Sequence, residues 1–381
     1  MYVLTPAQKA YAWGSTHAIQ DFSGIGTPGE PLAEIWYGAH AAGPSTLADG
    51  RGLDELIASD AGTLGSDVAA RFAGELPFLV KLLAPGRAVS LQVHPSAERA
   101  REAYAQQLAD DDSERAFVDA NHKPEQIFAL TPFEGLVGLR PIDDAIDILA
   151  RFELPLVSEA LAALRSGTEG AISTAITILA GASAPDVESI VARARELAAQ
   201  EKSSAAITAV ELAEQYPGDA GVAVSLMLER VRLQPGDSVM VHSGVPHAYM
   251  SGLALEVMAN SDNVFRLGLT QKKVDVEESV ANLITSPALV NRPHGSTQHD
   301  GPAEFELAVH PVGAAGVTIS GEGPRIAISI AGTCRVGSDD SHVDLSPGRA
   351  VFLPHGSSAT VSAGEPARLA VISVPASSEG I

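Results

Sequence analysis

Two residues of metal-binding type lie two positions apart in the segment SLQVHPSAE. Gln92 and His94 follow a Pro-Gly turn, and the residues around them alternate as in a strand. Side chains on a strand alternate with a period of two, so both would point to the same face. An imidazole and an amide oxygen on one face supply half of the ligands that a divalent metal ion requires.

Further ligands must come from other segments. The stretch QPGDSVMVHSGVPHAY offers His242 and His247, and the spacing favours His247, with His242 a structural replacement for proline. A fourth ligand should be anionic, and two carboxylates compete for the role. Glu98 lies in SAERAREAY, which predicts a helix, whereas Glu125 opens the alternating run EQIFAL, where a strand would hold it rigidly. The residues favour Glu125 and leave Glu98 as the alternative.

The elements that position these residues form a repeated unit. Pro-Gly turns followed by alternating strands begin near residues 84, 234 and 346. Repeats of this kind without intervening helices are typical of all-β lobes. The first two units resemble the two cupin motifs, with Gln92 in place of the first histidine. The third has Ala359 where the metal-binding histidine would stand, which predicts a C-terminal lobe without a metal.

The spacing of apolar residues changes between the first unit and the second. Residues 141–215 carry apolar side chains at i, i+3 and i+4, which predicts helices. We therefore expect a mainly β chain with a helical insert: two cupin-like jelly-roll lobes plus an α-helical domain. The expected boundaries are 1–140 for the first part of the catalytic lobe, 141–215 for the insert, 216–285 for the second part of that lobe, and 286–381 for the C-terminal lobe.

Composition excludes several classes of protein. The 381-residue chain has a formal net charge of −22, so its surface repels nucleic acid and anionic lipid, and we expect neither as a partner. One cysteine, Cys334, cannot form a disulfide within the chain. The first residues lack the pattern of a secretory signal, and the longest apolar stretch is too short to span a bilayer. We expect a cytoplasmic monomer in which any anion-binding pocket is locally basic.

Five stretches resemble the type I mannose-6-phosphate isomerase (phosphomannose isomerase) family of the cupin superfamily. They are YAWGS from residue 11, AEIWYGAH from 33, LPFLVKLLAPGRAVSLQVHP from 76, NHKPEQIFALTPFEGLVGLRP from 121 and VPHAYMSGLALEVMANSDNVFRLGLTQKKVDV from 245. Residues 277–381 match the family only loosely. The resemblance implies one zinc ion per chain, held by Gln92, His94, Glu125 and His247. It also implies that Arg266 is the family's catalytic arginine.

The activity implied by the resemblance is the interconversion of mannose 6-phosphate and fructose 6-phosphate through an enediol. This chemistry requires a proton carrier, positive charge near the sugar oxygens and basic groups for the phosphate. Candidates for the chemical step are Arg266, Lys123, His122 and Glu256, and candidates for substrate binding are Lys81, Lys272, Tyr249, His40 and Ser15. The sequence does not rank the possible bases. The alternatives are a metal-containing sugar-binding cupin without catalysis and an iron-dependent cupin oxygenase.

Overall fold

The computed structural model describes residues 1–109, 116–201, 203–285, 301–338 and 341–376. Antiparallel sheets dominate both ends of the chain, and a group of helices lies between them in sequence. The expected β-rich chain with a helical insert is therefore observed. The expected boundary at residue 286 lies outside the described residues.

The bounds of the elements are as follows. The strands, numbered in chain order, are β1 (Tyr2–Leu4), β2 (Ala7–Lys9), β3 (Glu34–Tyr37), β4 (Phe78–Leu83), β5 (Leu91–Val93), β6 (Glu125–Ala129), β7 (Phe133–Leu139), β8 (Leu228–Leu233), β9 (Ser238–Val241), β10 (His247–Ser251), β11 (Ala254–Ala259), β12 (Phe265–Gly268), β13 (Glu306–Val312), β14 (Val317–Ser320), β15 (Arg325–Ala331), β16 (Cys334–Ser338), β17 (Ser341–Leu345), β18 (Ala350–Leu353), β19 (Ser358–Ser362) and β20 (Ala367–Ser373). The α-helices are α1 (Ala18–Ser23), α2 (Leu53–Ser59), α3 (Ser66–Arg71), α4 (Ala97–Ala109), α5 (Ile142–Ala150), α6 (Pro155–Arg165), α7 (Ala171–Ala180), α8 (Ala184–Glu201), α9 (Ser204–Gln215), α10 (Gly221–Val224) and α11 (Val276–Ala281).

Two antiparallel sheets form the first lobe. One has the strand order β2-β3-β4-β11-β6-β9, and the other has the order β12-β5-β10-β7-β8. Side chains from both sheets meet in one core, for example Ile127 of β6, Val137 of β7 and Val239 of β9. The sheets therefore face each other, and residues that point inward from either sheet share the space between them.

Helices α5 to α10 cover the outer face of the second sheet. Leu91 of β5 and Ala248 of β10 belong to the same apolar core as Leu149 of α5 and Ile190 of α8. The i, i+3, i+4 pattern is the stripe that packs on this sheet. No single described helix is long and apolar enough to cross a membrane, although α7 and α8 together meet that length and composition with a bend of 104° between them.

The C-terminal lobe also contains two antiparallel sheets. Their strand orders are β1-β18-β15-β20-β13 and β14-β19-β16-β17. Val351 of β18 and Val336 of β16 lie in a core that both sheets share. Ala359, on β19, is buried in this core. Its methyl group packs among apolar neighbours, as expected for a position without a metal-binding side chain.

The two lobes are joined by pairing and by packing. β1 pairs with β18, with Val3 opposite Val351, so the start of the chain extends the C-terminal sheet. This differs from the expected assignment of residues 1–140 to the first lobe, because backbone pairing with the edge of β18 outweighs proximity in sequence. Phe78 of β4 and Phe352 of β18 lie in one apolar core, and the Tyr37 hydroxyl donates to the Gly348 carbonyl oxygen.

Candidate metal centre and reaction cavity

Strand alternation sends one set of side chains into the space between the two sheets of the first lobe. On β4, Val80 and Leu82 pack toward the C-terminal lobe, so Lys81 between them points the other way. On β10, Ala248 and Met250 pack on the helices. His247 and Tyr249 therefore point inward, as do Gln92 on β5 and Arg266 on β12.

Three of the inward side chains form a group with metal-binding geometry. His94 follows β5 directly, Glu125 opens β6, and His247 opens β10. Each is at most 1% exposed. One potential ligand atom from each lies within 4.8 Å of the others. The sequence prediction of a metal-binding group that includes Glu125 is thus supported by the geometry.

Backbone carbonyl groups orient both histidine rings. Nδ1 of His94 lies 2.7 Å from the backbone carbonyl oxygen of Asn263, and Nδ1 of His247 lies 3.0 Å from the backbone carbonyl oxygen of Val245. A carbonyl oxygen only accepts hydrogen bonds, so each Nδ1 carries a hydrogen and donates it. Each Nε2 then keeps a lone pair directed toward Glu125. This is the tautomer that a metal ion requires of a histidine ligand.

The buried group offers a lone pair and a carboxylate to a cation. Nε2 of His94 is 3.2 Å from a Glu125 oxygen, yet within the described ranges it has no partner with hydrogen-bond geometry. Burial, reinforced by the charge of Lys123, lowers the pKa of His94 to about 4, so this ring is neutral near pH 7. Burial alone would raise the pKa of Glu125, but Lys123 and the two imidazoles hold it well below its usual range. A divalent cation satisfies both the lone pair and the carboxylate.

Gln92 completes the expected ligand set. It lies opposite His247 in the β5–β10 register, and its Nε2 is 3.1 Å from Nε2 of His247. The two ends of an amide have the same shape, so a half-turn about the terminal bond puts Oε1 in the place of Nε2. In that orientation Gln92, His94, Glu125 and His247 offer two nitrogen and two oxygen ligands. Such a set suits zinc and other borderline divalent ions.

Two further side chains hold the Glu125 carboxylate. The Tyr249 hydroxyl donates to Oε2 at 2.7 Å, and the Lys123 ammonium lies 3.2 Å from Oε1. Burial, together with the charge of Glu125, raises the pKa of Tyr249 well above its usual range, so the hydroxyl remains a donor. Both oxygens of the carboxylate are therefore oriented before any ion binds.

A buried ion pair lies beside this group. Lys81 and Glu256 face each other across β4 and β11, with Nζ 2.9 Å from Oε2. Burial opposes the charge of Lys81, but the nearby carboxylates, Glu256 first, raise its pKa above the usual value and keep it an ammonium. Burial raises the pKa of Glu256 despite the opposing pull of Lys81. A carboxyl group with a raised pKa is better matched to proton transfer near neutral pH.

These side chains open on a cavity of about 400 Å³ between the sheets. His94 and His247 lie behind its wall. The predicted site residues that line the cavity are Lys81, Gln92, Lys123, Glu125, Tyr249, Glu256, Arg266 and Lys272.

Two of the predicted site cations in the cavity have no carboxylate partner in the described part of the chain. Arg266 lies opposite Gln92 in the β12–β5 register, and its Nε is buried without a hydrogen-bond partner. Lys272 is exposed at the cavity rim. Burial lowers the pKa of Arg266, but a guanidinium remains charged at physiological pH. Since an unpaired buried charge is costly, the cavity favours a negatively charged or polar ligand.

The chain is similar to phosphomannose isomerases in sequence and in fold. Residues 1–142 match the family described as phosphomannose isomerase type I, catalytic domain. The mannose-6-phosphate isomerase of Salmonella typhimurium is 32% identical over 93% of this chain and 94% of its own length. The human mannose-6-phosphate isomerase is 31% identical over 76% of this chain and 74% of its own length.

The chain belongs to the type I phosphomannose isomerase family. A crystal structure of a mutant phosphomannose isomerase from Salmonella typhimurium has the same fold, with a TM-score of 0.90 at 31% identity. That comparison covers 99% of this chain and 100% of the other. The resemblance seen in the sequence is therefore confirmed, including over the C-terminal residues that match the family motifs only loosely.

Three predicted site residues lie outside the cavity. His122 is half-buried, with Nε2 2.9 Å from Glu304 near the C-terminal lobe. His40 lines a neighbouring cavity, where its Nε2 is 3.6 Å from an oxygen of Asp262. The Ser15 hydroxyl accepts from the backbone N–H of Ala18 at the start of α1. The family stretches around these residues are present, but the structure gives each a contact other than the one expected.

The alternative ligands are also separated from the site. Glu98 is exposed in the first turn of α4, as its helical sequence predicted. His242 is exposed beyond the end of β9. Neither lies in the metal-binding group.

Arg87 and Tyr216 are among the cavity residues that the sequence analysis did not predict. Arg87 lies in the turn before β5, and Tyr216 ends α9 of the helical insert. Arg87 was visible in the Pro-Gly unit APGRAVSLQ as a basic residue five positions before Gln92. Tyr216 had no comparable signal, because its place depends on how the helices pack on the sheet.

Proposed function

We propose that the chain is a zinc-dependent mannose-6-phosphate isomerase, interconverting mannose 6-phosphate and fructose 6-phosphate. The observation that carries this proposal is the buried group His94, Glu125 and His247 behind a cavity in which Arg266 and Lys272 have no carboxylate partner among the described residues. A metal-binding group alone would suit many cupins. The combination with cations suits a sugar that carries phosphate, and the family relationship supports the same substrate.

In this proposal Gln92, His94, Glu125 and His247 hold one zinc ion per chain. When bound, zinc supplies positive charge beside the sugar oxygens and stabilises the negative charge that develops there. Tyr249 and Lys123 keep the Glu125 carboxylate in its position. Arg266 adds a second positive charge near those oxygens.

Glu256 is the proposed proton carrier between C2 and C1. As a carboxylate it takes the C2 proton of the open-chain aldose. The electron pair of the broken C–H bond forms the C1=C2 bond of the enediol, and the π electron pair of the C1=O1 bond moves to O1. O1 takes a proton from the Lys123 ammonium. Lys123 then removes the proton from O2, the C2=O2 bond forms, and C1 takes the proton back from Glu256. Both side chains end in their starting states.

The choice of Glu256 over Lys123 as the carbon base follows from their partners. The Lys123 ammonium is paired with the Glu125 carboxylate at 3.2 Å, and an ammonium has no lone pair to accept a proton. Glu256 has a pKa raised by burial, which makes it a stronger base than an ordinary carboxylate. Lys81 remains charged beside Glu256 and aligns the carboxylate for the sugar.

The architecture that we propose consists of two cupin-like lobes and a helical domain. Each lobe contains a pair of antiparallel sheets around a shared core, which supports its description as a cupin-like jelly roll. We take the helical domain as 141–215 and the second part of the catalytic lobe as 216–285. The C-terminal lobe, from 286 to 381, also includes β1 in its sheet.

An assay for fructose 6-phosphate, with and without a chelator, tests the function. The purified protein should convert mannose 6-phosphate, lose activity when elemental analysis shows that zinc is gone, and regain it when zinc is returned. Full activity in the metal-free protein would refute zinc dependence. Absence of product from the zinc-loaded protein would leave a sugar-binding cupin, and oxygen consumption with product would indicate an oxygenase.

The proton carrier is tested by isotope exchange. In heavy water the wild type should incorporate deuterium at C2 of mannose 6-phosphate while isomerisation proceeds. Glu256→Gln should retain zinc and lose this exchange by a factor of ~10²–10⁴, the usual contribution of a positioned base. Exchange that continues at the wild-type rate in a zinc-loaded Glu256→Gln protein would remove Glu256 from this role.

A further inference from the structure

Arg87 is a further cation of the reaction cavity that, like Arg266 and Lys272, has no carboxylate partner among the described residues. It lies in the turn between β4 and β5 and lines the cavity together with Gln92, Arg266 and Lys272. Its side chain is exposed at the mouth rather than buried. The chain has 47 acidic residues against 25 basic ones, yet Arg87 forms no ion pair with any described residue.

The end of the helical insert fixes the turn that carries Arg87. The backbone N–H of Ala88 donates to the side-chain oxygen of Gln215 at 2.7 Å. The Tyr216 hydroxyl donates to the Ala88 carbonyl oxygen at 2.5 Å. Both contacts join residues more than 120 positions apart in the chain. The backbone between β4 and β5 is therefore held at Ala88, next to Arg87, by the end of α9.

Tyr216 also contacts the Arg87 side chain directly. The guanidinium carbon lies 5.6 Å from the centroid of the Tyr216 ring. A cation at this distance is attracted to the face of the ring, which restricts a side chain that would otherwise move freely in solvent. The hydrogen-bonding groups of Arg87 thus remain at the cavity mouth without a protein acceptor in the described residues.

We propose that Arg87, positioned by Tyr216, binds the phosphate of the substrate and selects phosphorylated over unphosphorylated sugars. This inference rests on the proposed function. A guanidinium offers two parallel donors that match two phosphate oxygens. With a net charge of −22, the protein repels a dianion at long range, so selection for phosphate requires local cations free of carboxylates. Within the described residues, Arg87 and Lys272 meet this requirement at the mouth, while Arg266 is half-buried on β12, opposite Gln92 in the strand register.

The helical insert then contributes to the selection of phosphorylated sugars, because α9 holds the turn that carries Arg87. Without α9, the turn at Arg87 would lose two hydrogen bonds and the ring beneath the guanidinium. Tyr216 is a positioning residue in this account, since it acts on the substrate through Arg87. Its effect should therefore disappear when Arg87 is absent.

Arg87→Ala is the first test. KM for mannose 6-phosphate should rise roughly 10-fold to 100-fold, the scale of one charged hydrogen bond, while kcat falls by a smaller factor. The dissociation constant of inorganic phosphate, measured by calorimetry on the zinc-loaded protein, should rise in the same way. Arg101→Ala, which removes an exposed arginine from α4, is the matched control and should leave both constants unchanged. Unchanged KM and phosphate affinity in Arg87→Ala would overturn the proposal.

The second test separates positioning from general structure. Tyr216→Leu should raise KM and the phosphate dissociation constant in the same direction as Arg87→Ala, by a smaller factor. In the Arg87→Ala background the same change should add little, because the residue through which it acts is gone. Independent, multiplicative effects of the two changes on KM would overturn the positioning role.

The isomerase activity and the phosphate-binding role of Arg87 can be refuted separately. A zinc-loaded wild type that produces no fructose 6-phosphate refutes the isomerase, and its affinity for inorganic phosphate can still be compared with that of Arg87→Ala. Equal phosphate affinity in the two proteins, or no phosphate binding by the wild type, refutes the role of Arg87 whatever the activity.

Discussion

Glu125 carries the negative charge of the proposed ligand set. Glu125→Gln keeps the size of the side chain and removes this charge, so zinc retention should fall at least ~10-fold, with activity falling in parallel. Zinc content after dialysis against a graded series of chelator concentrations measures the effect. Glu98→Gln removes the same charge from an exposed helical position and should change neither property. Loss of zinc from Glu98→Gln with retention in Glu125→Gln would show that the ligand set is wrong.

Arg266 should affect the chemical step more than binding. Arg266 lies opposite Gln92, one of the proposed ligands, in the β12–β5 register and lines the cavity in which charge on the sugar oxygens would grow. Arg266→Ala should therefore lose ~10²–10³-fold in kcat, the cost of removing one preorganised donor. Arg266→Lys should recover little, because a point charge does not reproduce the planar fork. Steady-state kinetics of the zinc-loaded proteins measures both.

Two other roles for Arg266 predict different results. If it only bound phosphate, KM would rise and kcat would stay near the wild-type value. If it ordered the loop through Asp262, stability or zinc content would fall. The structure pairs Asp262 with His40 at 3.6 Å and gives no contact to Arg266, which weakens the second role.

Residue types and spacing predicted much of the site. Strand alternation explains why Gln92 and His94 were predicted together, and why His122 was wrongly expected in the cavity. Gln92 and His94 were expected on one face because they are two apart, and they are close to His247 as required. His122 and Lys123 are neighbours in an extended segment before β6, so they point to opposite sides. Lys123 reaches the cavity, and His122 reaches Glu304. The sequence did not show which of the two would face inward.

At the scale of elements, the segment before β12 orients part of the metal-binding group. Asn263, in this segment, contacts both His94 and the stretch that precedes β6. The Asn263 side chain is buried, accepts from the Val118 N–H at 2.8 Å, and donates to the backbone oxygens of Asp119 and Asn121 at 2.9 Å each. The backbone oxygen of Asn263 accepts from His94. One residue therefore ties the stretch that precedes β6 to the ring of a proposed ligand.

Asn263→Ala should lower both stability and zinc affinity. It removes the hydrogen bonds to the backbone of Val118, Asp119 and Asn121, each worth about 0.5–1.5 kcal/mol, and it loosens the segment whose carbonyl group orients His94. Thermal unfolding of the metal-free protein and competition for zinc with a fluorescent chelator measure the two effects separately. Asn282→Ala is the control, because among the described residues that side chain bonds only to Glu278 on α11 and to none of the proposed ligands. Unchanged zinc affinity in Asn263→Ala would contradict the orienting role.

Elements with strong periodicity were predictable, whereas their partners were not. The helical insert followed from apolar spacing, and the Pro-Gly units marked strands that pack in antiparallel sheets. β1 is three residues long, and its partner strand lies near residue 350. Nothing in three residues specifies so distant an edge, because that choice depends on which strand of the assembled sheet is left without a neighbour.

At the scale of the whole molecule, the sheets and helices form successive layers. The helices pack on one sheet of the first lobe, the metal-binding group lies between its two sheets, and the second sheet packs on the C-terminal lobe. The C-terminal lobe contributes none of the proposed ligands, yet its core is continuous with the sheet that carries Lys81, Glu125 and Glu256. Its contribution to the reaction is therefore mechanical support of that sheet.

This continuity predicts that the lobes unfold together. Phe352 is fully buried on β18 and belongs to the core that includes Phe78 and Val257 of the first lobe. Phe352→Ala should cost about 3–5 kcal/mol, as is usual for deleting a buried phenyl ring. Because the core is shared, the variant should show one thermal transition at lower temperature, with zinc release in that same transition. Calorimetry and a fluorescent zinc indicator, followed over one temperature scan, measure both events.

Val361→Ala is the control for this prediction. Val361 is buried on β19 in the core that the two C-terminal sheets share, away from the first lobe. Val361→Ala should lower the free energy of unfolding by less than Phe352→Ala, since fewer carbon atoms are removed. Zinc should still be released in the single thermal transition. Two separate transitions in Phe352→Ala, with zinc retained through the first, would mean that the lobes unfold independently. In that case the contact between Tyr37 and Gly348 would be a surface contact between autonomous lobes rather than part of one core.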